Sequence, residues 1–200
     1  MMEKLSFNDL RIFNTSGELQ VNTYVFDLHG ITYVVDPGKG IGKYMDKSLK
    51  YDVIITHGHY DHIAGVRELN VDRLYISPED SAFLKEPRLN LSRFFDDIVS
   101  MDISWYNIDE YFHTILAPGH TPGSRIVVFD GVLFTGDTVF SNTIGRSDLG
   151  VILGQQRAMS KTIKNISKIF KQFPKEWYVC PGHGDIVTLE KLFRINPFFK

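Results

Sequence analysis

One short run of the chain carries four side chains that suit metal binding. It reads H-x-H-x-D-H and supplies His57, His59, Asp61 and His62. An apolar run precedes it, and apolar residues at helical spacing follow it, so we expect a strand, a tight loop and a helix. Imidazole and carboxylate donors favour a borderline metal such as zinc. The spacing therefore predicts a metal site at the carboxyl end of a strand.

Three further candidate ligands stand alone in the sequence but occupy similar places. Each follows a stretch with strand character and lies beside glycine: His120, Asp137 and His183. Loops at the ends of sheets can bring such distant side chains to one point. The seven candidates exceed the four ligands of a closed structural zinc site, so they favour two metal ions that share one carboxylate.

Other polar residues near these motifs have simpler interpretations. His29 is typical of a hairpin turn, and the pattern around His113 favours a structural or surface histidine. Asp36 precedes a proline and a glycine, so it could simply end a strand. Its carboxylate could instead hold a metal-bound histidine in one tautomer. Both interpretations of Asp36 are open on the sequence alone.

Composition narrows the class of protein. The 200 residues are 43% hydrophobic and no linker divides them, so we expect a single domain over 1–200. The net charge of −2 gives no basic field that would attract nucleic acid, so we expect no nucleic-acid partner. The lone cysteine, Cys180, excludes an intrachain disulfide. The N-terminus lacks the apolar core of a signal peptide, and no apolar run approaches the roughly 18 residues of a membrane span. We expect a cytoplasmic protein; an oligomeric state is not indicated.

The hydrophobic pattern predicts strands first and helices later in each half. Residues 5–35 should form an antiparallel layer, and 41–49 a short amphipathic helix. Later strands are predicted at 53–55, 74–76, 111–116, 125–129, 132–134 and 177–180, and helices at 155–173 and 188–194. We expect Phe94 and Phe95 in the core rather than at the mouth of a pocket, and Trp105 and Tyr106 packed under an irregular segment.

Four pieces of the sequence together resemble the metallo-β-lactamase superfamily. They are the H-x-H-x-D-H run at 57–62, P-G-H-T-P-G-S at 118–124, T-G-D-T at 135–138 and P-G-H-G at 181–184. The runs G-H-T-P-G-S, T-G-D-T-V-F and G-R-S-D-L are most similar to the glyoxalase II-like hydrolases. The resemblance implies an α/β fold class, an αβ/βα sandwich of two mixed β-sheets flanked by helices.

The resemblance also implies a ligand set and a reaction. One metal would bind to His57, His59 and His120, and the second to Asp61, His62 and His183, with Asp137 as the bridge. Two divalent ions, with zinc favoured over iron or manganese, would ionise a shared water that attacks a thioester carbonyl. Asp61 would also act as a catalytic residue by orienting that water. The implied activity is hydrolysis of a small hydroxyacyl thioester.

Two features separate this sequence from glyoxalase II proper. Complete members carry a C-terminal helical domain with basic residues for glutathione, whereas this sequence ends at Lys200. Arg146 lies where the family has a basic residue, but Asp148 follows it closely instead of the expected aromatic residues. Arg146 could bind a substrate carboxylate, or it could pair with Asp148 and fix its loop. Glutathione as the thiol carrier is therefore open.

Other functions of the same fold are kept as alternatives. A persulfide dioxygenase would use one iron on His57, His120 and Asp137, but Leu149 replaces its loop aromatic and the second ligand set is complete. A nuclease would need a basic groove, which the sequence does not show. A lactonase and a metal-binding module without catalysis complete the alternatives.

Overall fold

Two β-sheets face each other in this computed structural model, which describes residues 2–149 and 155–200. The first sheet contains β1 Arg11–Thr15, β2 Val21–Leu28, β3 Ile31–Val35, β4 Tyr51–Ile54, β5 Val71–Ile76 and β6 Tyr106–Asn107, in that order. The second contains β7 Thr114–Leu116, β8 Arg125–Phe129, β9 Val132–Gly136, β10 Tyr178–Pro181 and β11 Val187–Thr188. The helices are α1 Tyr60–Ile63, α2 Ile108–Tyr111, α3 Gln155–Phe170 and α4 Leu189–Ile195.

Both sheets are mixed. In the first, β1, β2 and β3 are antiparallel, and β3 to β6 run parallel. In the second, β9 and β10 are parallel and the other neighbours are antiparallel. Parallel neighbours end at the same edge of a sheet, so the loops after them meet there. The two mixed sheets with helices outside them confirm the predicted fold class.

An aromatic core joins the two sheets. Phe26 of β2 stacks on Phe134 of β9, with ring centroids 5.8 Å apart, and Phe129 of β8 meets Phe26 edge-on at 5.3 Å. Cys180 of β10 is fully buried in the same cluster. This layer fixes the distance between the sheets and therefore between the loops at their ends.

Alternate residues of the strands face outward to the helices. Val53 and Ile55 pack outside the first sheet with Ile63 of α1, whereas Ile54 points into the inter-sheet core. On the second sheet, Met159 and Ile163 of α3 are buried against the strands, which confirms the helical spacing read from the sequence. The helix ends at Phe170 rather than at 173.

The helix predicted at 41–49 is wrong. Only a three-residue 3-10 helix, Ile41–Lys43, forms there. The carboxylate of Glu68 accepts the N–H groups of Gly40 and Gly42 and holds this turn from outside. Leu49 is half exposed, so the segment buries no continuous apolar face that would stabilise a longer helix.

The predicted burial of four aromatic residues is also wrong. Phe94 is 73% exposed and Phe95 40%, because the buried polar side chains Asn90 and Ser92 anchor their loop instead. Trp105 and Tyr106 are each about two-fifths exposed. Their segment is not irregular throughout, since Tyr106 begins the edge strand β6 and α2 follows it.

His29 and His113, which were predicted to lie outside the metal site, are both on the surface. His29 occupies the turn between β2 and β3 with a left-handed φ of 53°, and His113 precedes β7 in an exposed position. Across the described residues, no helix has the length and apolarity to cross a bilayer.

We expect Phe134→Ala to lower the free energy of unfolding by about 3–5 kcal/mol, because it opens a cavity between the sheets. Phe94→Ala is the matched control and should change it by less than about 0.5 kcal/mol, since that ring is in solvent. Urea unfolding of both variants measures the difference. Equal effects of the two substitutions would contradict the assignment of the core.

Candidate metal centre

The seven candidate ligands converge on one edge of the sandwich. The loop after β4 carries His57 and His59, and α1 begins directly after them at Tyr60. Asp61 and His62 therefore lie in the first turn of a helix that starts three residues earlier than the sequence pattern suggested. The remaining three follow strands of the second sheet: His120 after β7, Asp137 after β9 and His183 after β10.

One group of possible ligands consists of His57, His59 and His120, which we call the first trio. Each offers a ring nitrogen within 4.8 Å of the others. His59 Nδ1 lies 2.8 Å from His120 Nε2, and all three side chains are buried. Three imidazoles that point at a common centre form a donor set suited to zinc or another borderline cation.

The second group, which we call the second trio, consists of Asp61, His62 and His183. Their ligand atoms also lie within 4.8 Å of one another. Asp61 Oδ2 is 3.2 Å from His183 Nε2 and 3.6 Å from His62 Nε2. This trio is the more open one, because the side chains of His183 and Asp61 are 27% and 17% exposed.

Asp137 lies between the two trios. Its Oδ2 is 3.5 Å from His120 Nε2 of the first trio and 3.4 Å from His183 Nε2 of the second. Its Oδ1 lies 3.4 Å from His62 Nε2. A carboxylate in this place can contact cations on both sides.

Hydrogen bonds to Nδ1 orient four of the five imidazoles. His120 donates to the carbonyl of Arg146 at 2.7 Å, and His183 to the carbonyl of Leu19 at 2.9 Å. His62 Nδ1 lies 3.0 Å from Asp36 Oδ2. Because these hydrogen bonds keep a proton on Nδ1, each ring presents an unprotonated Nε2 to the centre once a cation binds.

The fourth oriented ring is His57, whose tautomer follows from its neighbour. The hydroxyl of Thr56 donates to Asp36 Oδ2 at 2.6 Å, so its oxygen is left to accept from His57 Nδ1 at 3.2 Å. His59 is the exception, since its Nδ1 faces the centre. It would be the one Nδ1 ligand of the set.

Asp36 combines both roles that the sequence left open. It directly follows β3 with a left-handed φ of 49°, and its carboxylate also accepts from the backbone N–H of Thr56 at 2.8 Å. The close bond to His62 shows that this carboxylate orients an imidazole of the cluster. Asp36 also falls in a third group of possible ligands with His57 and His62, but its oxygens are already engaged by Thr56 and His62.

The donor set fits bound cations better than it fits hydrogen bonds within the protein. Among the described residues, His57 Nε2, His62 Nε2 and Asp137 Oδ1 are buried atoms without a hydrogen-bond partner. Each such atom costs about 1–3 kcal/mol unless something satisfies it. All three point into the cluster, where a cation would satisfy them together.

The first trio is suited to neutral ligands. Burial lowers the pKa of His57 well below its usual value, and the neighbouring rings of His62 and His120 lower it further. Burial, followed by the ring of His120, lowers the pKa of His59 to about 3. Both imidazoles are therefore unprotonated at neutral pH and ready to bind a metal.

The second trio holds protons instead. Burial alone would lower the pKa of His62, but Asp61, Asp137 and Asp36 outweigh it and raise that pKa well above the usual value. His183 behaves alike: burial opposes, yet hydrogen bonds to Asp137 and Asp61 raise its pKa to about 10. Burial would raise the pKa of Asp137, but chiefly His62 holds it well below the usual value.

Two supporting residues were missed in the sequence. A Cβ at Gly182 would collide with Asp137 Oδ1 and His62 Cε1, so glycine is required where this loop crosses the centre. Asp80 is fully buried and bonds to both histidine loops of the first trio. Its S-P-E-D context resembles an ordinary helix start, so no spacing in the sequence distinguishes it.

Arg146 lies at the edge of the centre. Its guanidinium makes two hydrogen bonds of 2.9 Å to the carboxylate of Asp148, and its side chain is 68% exposed. Its carbonyl orients His120, so the backbone of this residue is part of the site whatever the side chain binds. The pairing with Asp148 corresponds to the loop-fixing interpretation of the sequence.

Comparison with known proteins gives the same picture of the fold. A solved B3 metallo-beta-lactamase, BLEG-1, superposes with a TM-score of 0.80 and 25% identity, covering 96% of this chain and 99% of that one. The crystal structure of TTHA1623 in a di-iron-bound form has a TM-score of 0.75 and 27% identity, covering 92% and 98%.

Two related proteins are described as hydrolases. A probable metallo-hydrolase of Streptococcus pyogenes is 29% identical over 95% of this chain and 90% of its own length. A hydroxyacylglutathione hydrolase of Photobacterium profundum is 32% identical over 72% of this chain and 55% of its own length. The family model of the metallo-beta-lactamase superfamily matches residues 16–183, which include every candidate ligand. This chain belongs to the metallo-beta-lactamase superfamily.

Proposed function

We propose that this protein is a hydrolase of small thioesters, such as 2-hydroxyacyl thioesters, with a dinuclear metal centre. The observation that carries the proposal is the position of Asp137, within 3.5 Å of a nitrogen from each trio. Two separate ligand sets joined by one carboxylate are what a pair of cations requires. The relatives described as hydrolases support the reaction class.

The metal pair would be held by imidazole nitrogens and carboxylate oxygens only. Zinc suits such donors best, and iron and manganese also accept them; a similar protein is known in a di-iron-bound form. When bound, two divalent cations lower the pKa of a shared water and stabilise negative charge on a carbonyl oxygen.

We assign Asp61 the role of orienting the attacking water. Its Oδ2 lies on the open side of the centre, 3.2 Å from His183 Nε2. From there it can accept a hydrogen bond from the attacking water and orient its lone pair toward the substrate carbonyl. His57, His59, His62 and His120 are all buried, so the substrate must approach from the side of Asp61 and His183.

The chain's own thiol is excluded from the reaction. Cys180 is fully buried in the inter-sheet core, and burial raises the pKa of its thiol. A thiolate leaving group has a reference pKa of ~8.5 and departs without a general acid. A thioester is therefore an acyl substrate that this centre could hydrolyse without a general acid for the leaving group.

Apolar side chains beside the open trio suit a small acyl group. The ring of Phe140 lies 6.2 Å from that of His183, and Leu19, whose carbonyl orients His183, is 36% exposed. The net charge of −2 and the lack of a basic groove in the sequence disfavour a nucleic-acid partner. We therefore propose a small-molecule substrate and no nucleic-acid or membrane partner.

A metal analysis combined with a substrate panel tests this proposal. The purified protein is assayed on 2-hydroxyacyl thioesters of glutathione and of cysteamine, and on a lactone, a phosphodiester and a β-lactam. We expect two metal equivalents and the highest kcat/KM on a thioester. Iron alone, at one equivalent and with oxygen uptake on adding a persulfide, would instead establish a persulfide dioxygenase.

Loss of one ligand should abolish turnover. We expect His120→Ala and Asp137→Ala each to lower kcat/KM by more than about 100-fold, because even a residue that only supports a ligand is worth about 10- to 100-fold. Metal content should fall in parallel. His113→Ala is the matched control, an exposed histidine outside the centre, and it should keep full activity. Undiminished rates in either ligand variant would refute the proposed site.

The two trios should differ in the pH dependence of metal binding. His183, with a pKa of about 10, and His62 are protonated at pH 7 without a cation, so metal must displace protons from the second trio. Its affinity should rise with pH by up to about tenfold per unit for each proton displaced. His57 and His59 are already neutral, so they lose no proton on binding.

Calorimetry in buffers of different ionisation enthalpy measures the released protons. The His183→Ala variant retains the first trio and should release fewer protons per metal than the His120→Ala variant, which retains Asp61, His62 and His183. Equal release from both variants would contradict the assigned protonation states.

The role of Arg146 can be separated from that of its loop. If the pair with Asp148 fixes the loop, Arg146→Ala and Asp148→Ala should lower kcat/KM alike, and by less than about fivefold, because the pair is exposed. Both effects should be the same for thioesters with and without an acyl carboxylate. A raised KM confined to Arg146→Ala and to carboxylate-bearing substrates would show substrate binding instead.

A further inference from the structure

We propose that Asp80 is a positioning residue that sets the geometry of the first trio by tying its two loops together. The inference deepens the proposed function; it rests on the metal site and not on the identity of the substrate. Asp80 belongs to neither ligand loop, since it lies in a third loop after β5.

The first trio needs such a tie because its members come from different sheets. His57 and His59 follow β4 of the first sheet, whereas His120 follows β7 of the second. A backbone hydrogen bond joins the sheets nearby, from the N–H of Arg125 to the carbonyl of Thr56 at 2.9 Å. A bond of this kind at the base of the loops leaves the separation of their tips free to vary.

The carboxylate of Asp80 contacts both loops at once. Its Oδ2 accepts the N–H of Gly58 at 2.9 Å, and Gly58 lies between the two histidines of the first loop. The same oxygen accepts the hydroxyl of Thr121 at 2.6 Å, and Thr121 follows His120 directly. Its Oδ1 accepts the N–H of Gly123 at 2.7 Å. One fully buried side chain therefore bridges the loops within one residue of all three ligands.

The direction of these hydrogen bonds identifies Asp80 as their common acceptor. An ionised carboxylate can only accept, so the hydroxyl of Thr121 must donate to it. The hydroxyl of Ser124, 2.7 Å from that of Thr121, then donates to Thr121, and its oxygen accepts the N–H of Thr121 at 3.1 Å. The hydrogen bonds of the turn that carries His120 therefore form a chain that ends at the Asp80 carboxylate.

The approach is too close for larger residues at the contact. A Cβ at Gly123 would collide with the Asp80 carboxylate and with Ser77 Oγ, and one at Gly58 would collide with the ring of Phe83. Glycine at both positions lets the backbone N–H groups reach a buried acceptor. The two glycines of the motifs therefore serve this bridge as well as the turns.

Fixed loops keep the first trio together. His59 Nδ1 and His120 Nε2 are held 2.8 Å apart with a cluster of buried rings around them. Separating the loops would widen this gap and weaken any cation held there. The second trio is supported independently, by Asp36 at His62 and by the Leu19 carbonyl at His183. Loss of Asp80 should therefore weaken one of the two metal sites and spare the other.

Zinc affinity in single-site backgrounds tests this selectivity. Competition with a chromophoric chelator is measured for Asp80→Asn combined with His183→Ala, which leaves the first trio, and combined with His120→Ala, which leaves the second. Asparagine keeps the size but loses one acceptor oxygen. We expect zinc affinity to fall about 10- to 100-fold in the first background and not to change in the second.

Asp52→Asn provides the matched control. Asp52 is another buried aspartate, hydrogen-bonded to the hydroxyl of Tyr75 at 2.9 Å and in contact with neither trio. It should leave zinc affinity unchanged in both backgrounds, while urea unfolding reports any general loss of stability. If Asp80→Asn does not fold, Thr121→Val removes one bond to Asp80 and should produce a smaller loss with the same selectivity.

Equal losses in both backgrounds, or no loss in the first, would overturn the role of Asp80. These outcomes are distinct from failure of the proposed function. If the unsubstituted protein binds no metal, the metal centre itself is refuted. If it binds two equivalents while Asp80→Asn binds them equally well, only the positioning role is refuted.

Discussion

The structure depends on holding five imidazoles and two carboxylates face to face in a largely buried cluster. Such groups repel, titrate or leave atoms unsatisfied unless something outside the cluster fixes them. The surrounding acceptors supply that constraint: carbonyl oxygens at His120 and His183, the Thr56 hydroxyl at His57 and the Asp36 carboxylate at His62. Because each accepts a hydrogen bond from Nδ1, the Nε2 atoms of these four rings are directed inward before any cation arrives.

The cluster is electrically divided. Burial keeps His57 and His59 neutral, and the neighbouring imidazoles act in the same direction. His62 and His183 face carboxylates, which keep a positive charge nearby whether a proton or a metal carries it. The side chains of the first trio are buried, whereas Asp61 and His183 of the second trio are partly exposed to solvent. In the proposed function, this asymmetry would direct substrate and water to the side of Asp61.

The motifs predicted which side chains would meet, because each candidate ligand lies in a loop or helix that follows a strand, and strand ends are recognisable from apolar runs. The sandwich itself came from the resemblance, and its two mixed sheets agree with the strand pattern in each half. The helix at 41–49 and the burial of Phe94 could not be judged from pattern alone. The 41–49 segment is held in a short turn by hydrogen bonds to Glu68, which is distant in the sequence. The loop of Phe94 is anchored by the buried side chain of Asn90, which leaves the ring exposed.

Asp80 shows the limit of reading a sequence locally. A single acidic residue between a strand and a 3-10 helix looks like a cap, yet its side chain makes no capping hydrogen bond to that helix. Its partners, Gly58, Thr121 and Gly123, are 22 to 43 residues away in the chain. Only the fold brings them together, so the function of this carboxylate follows from tertiary structure rather than from spacing.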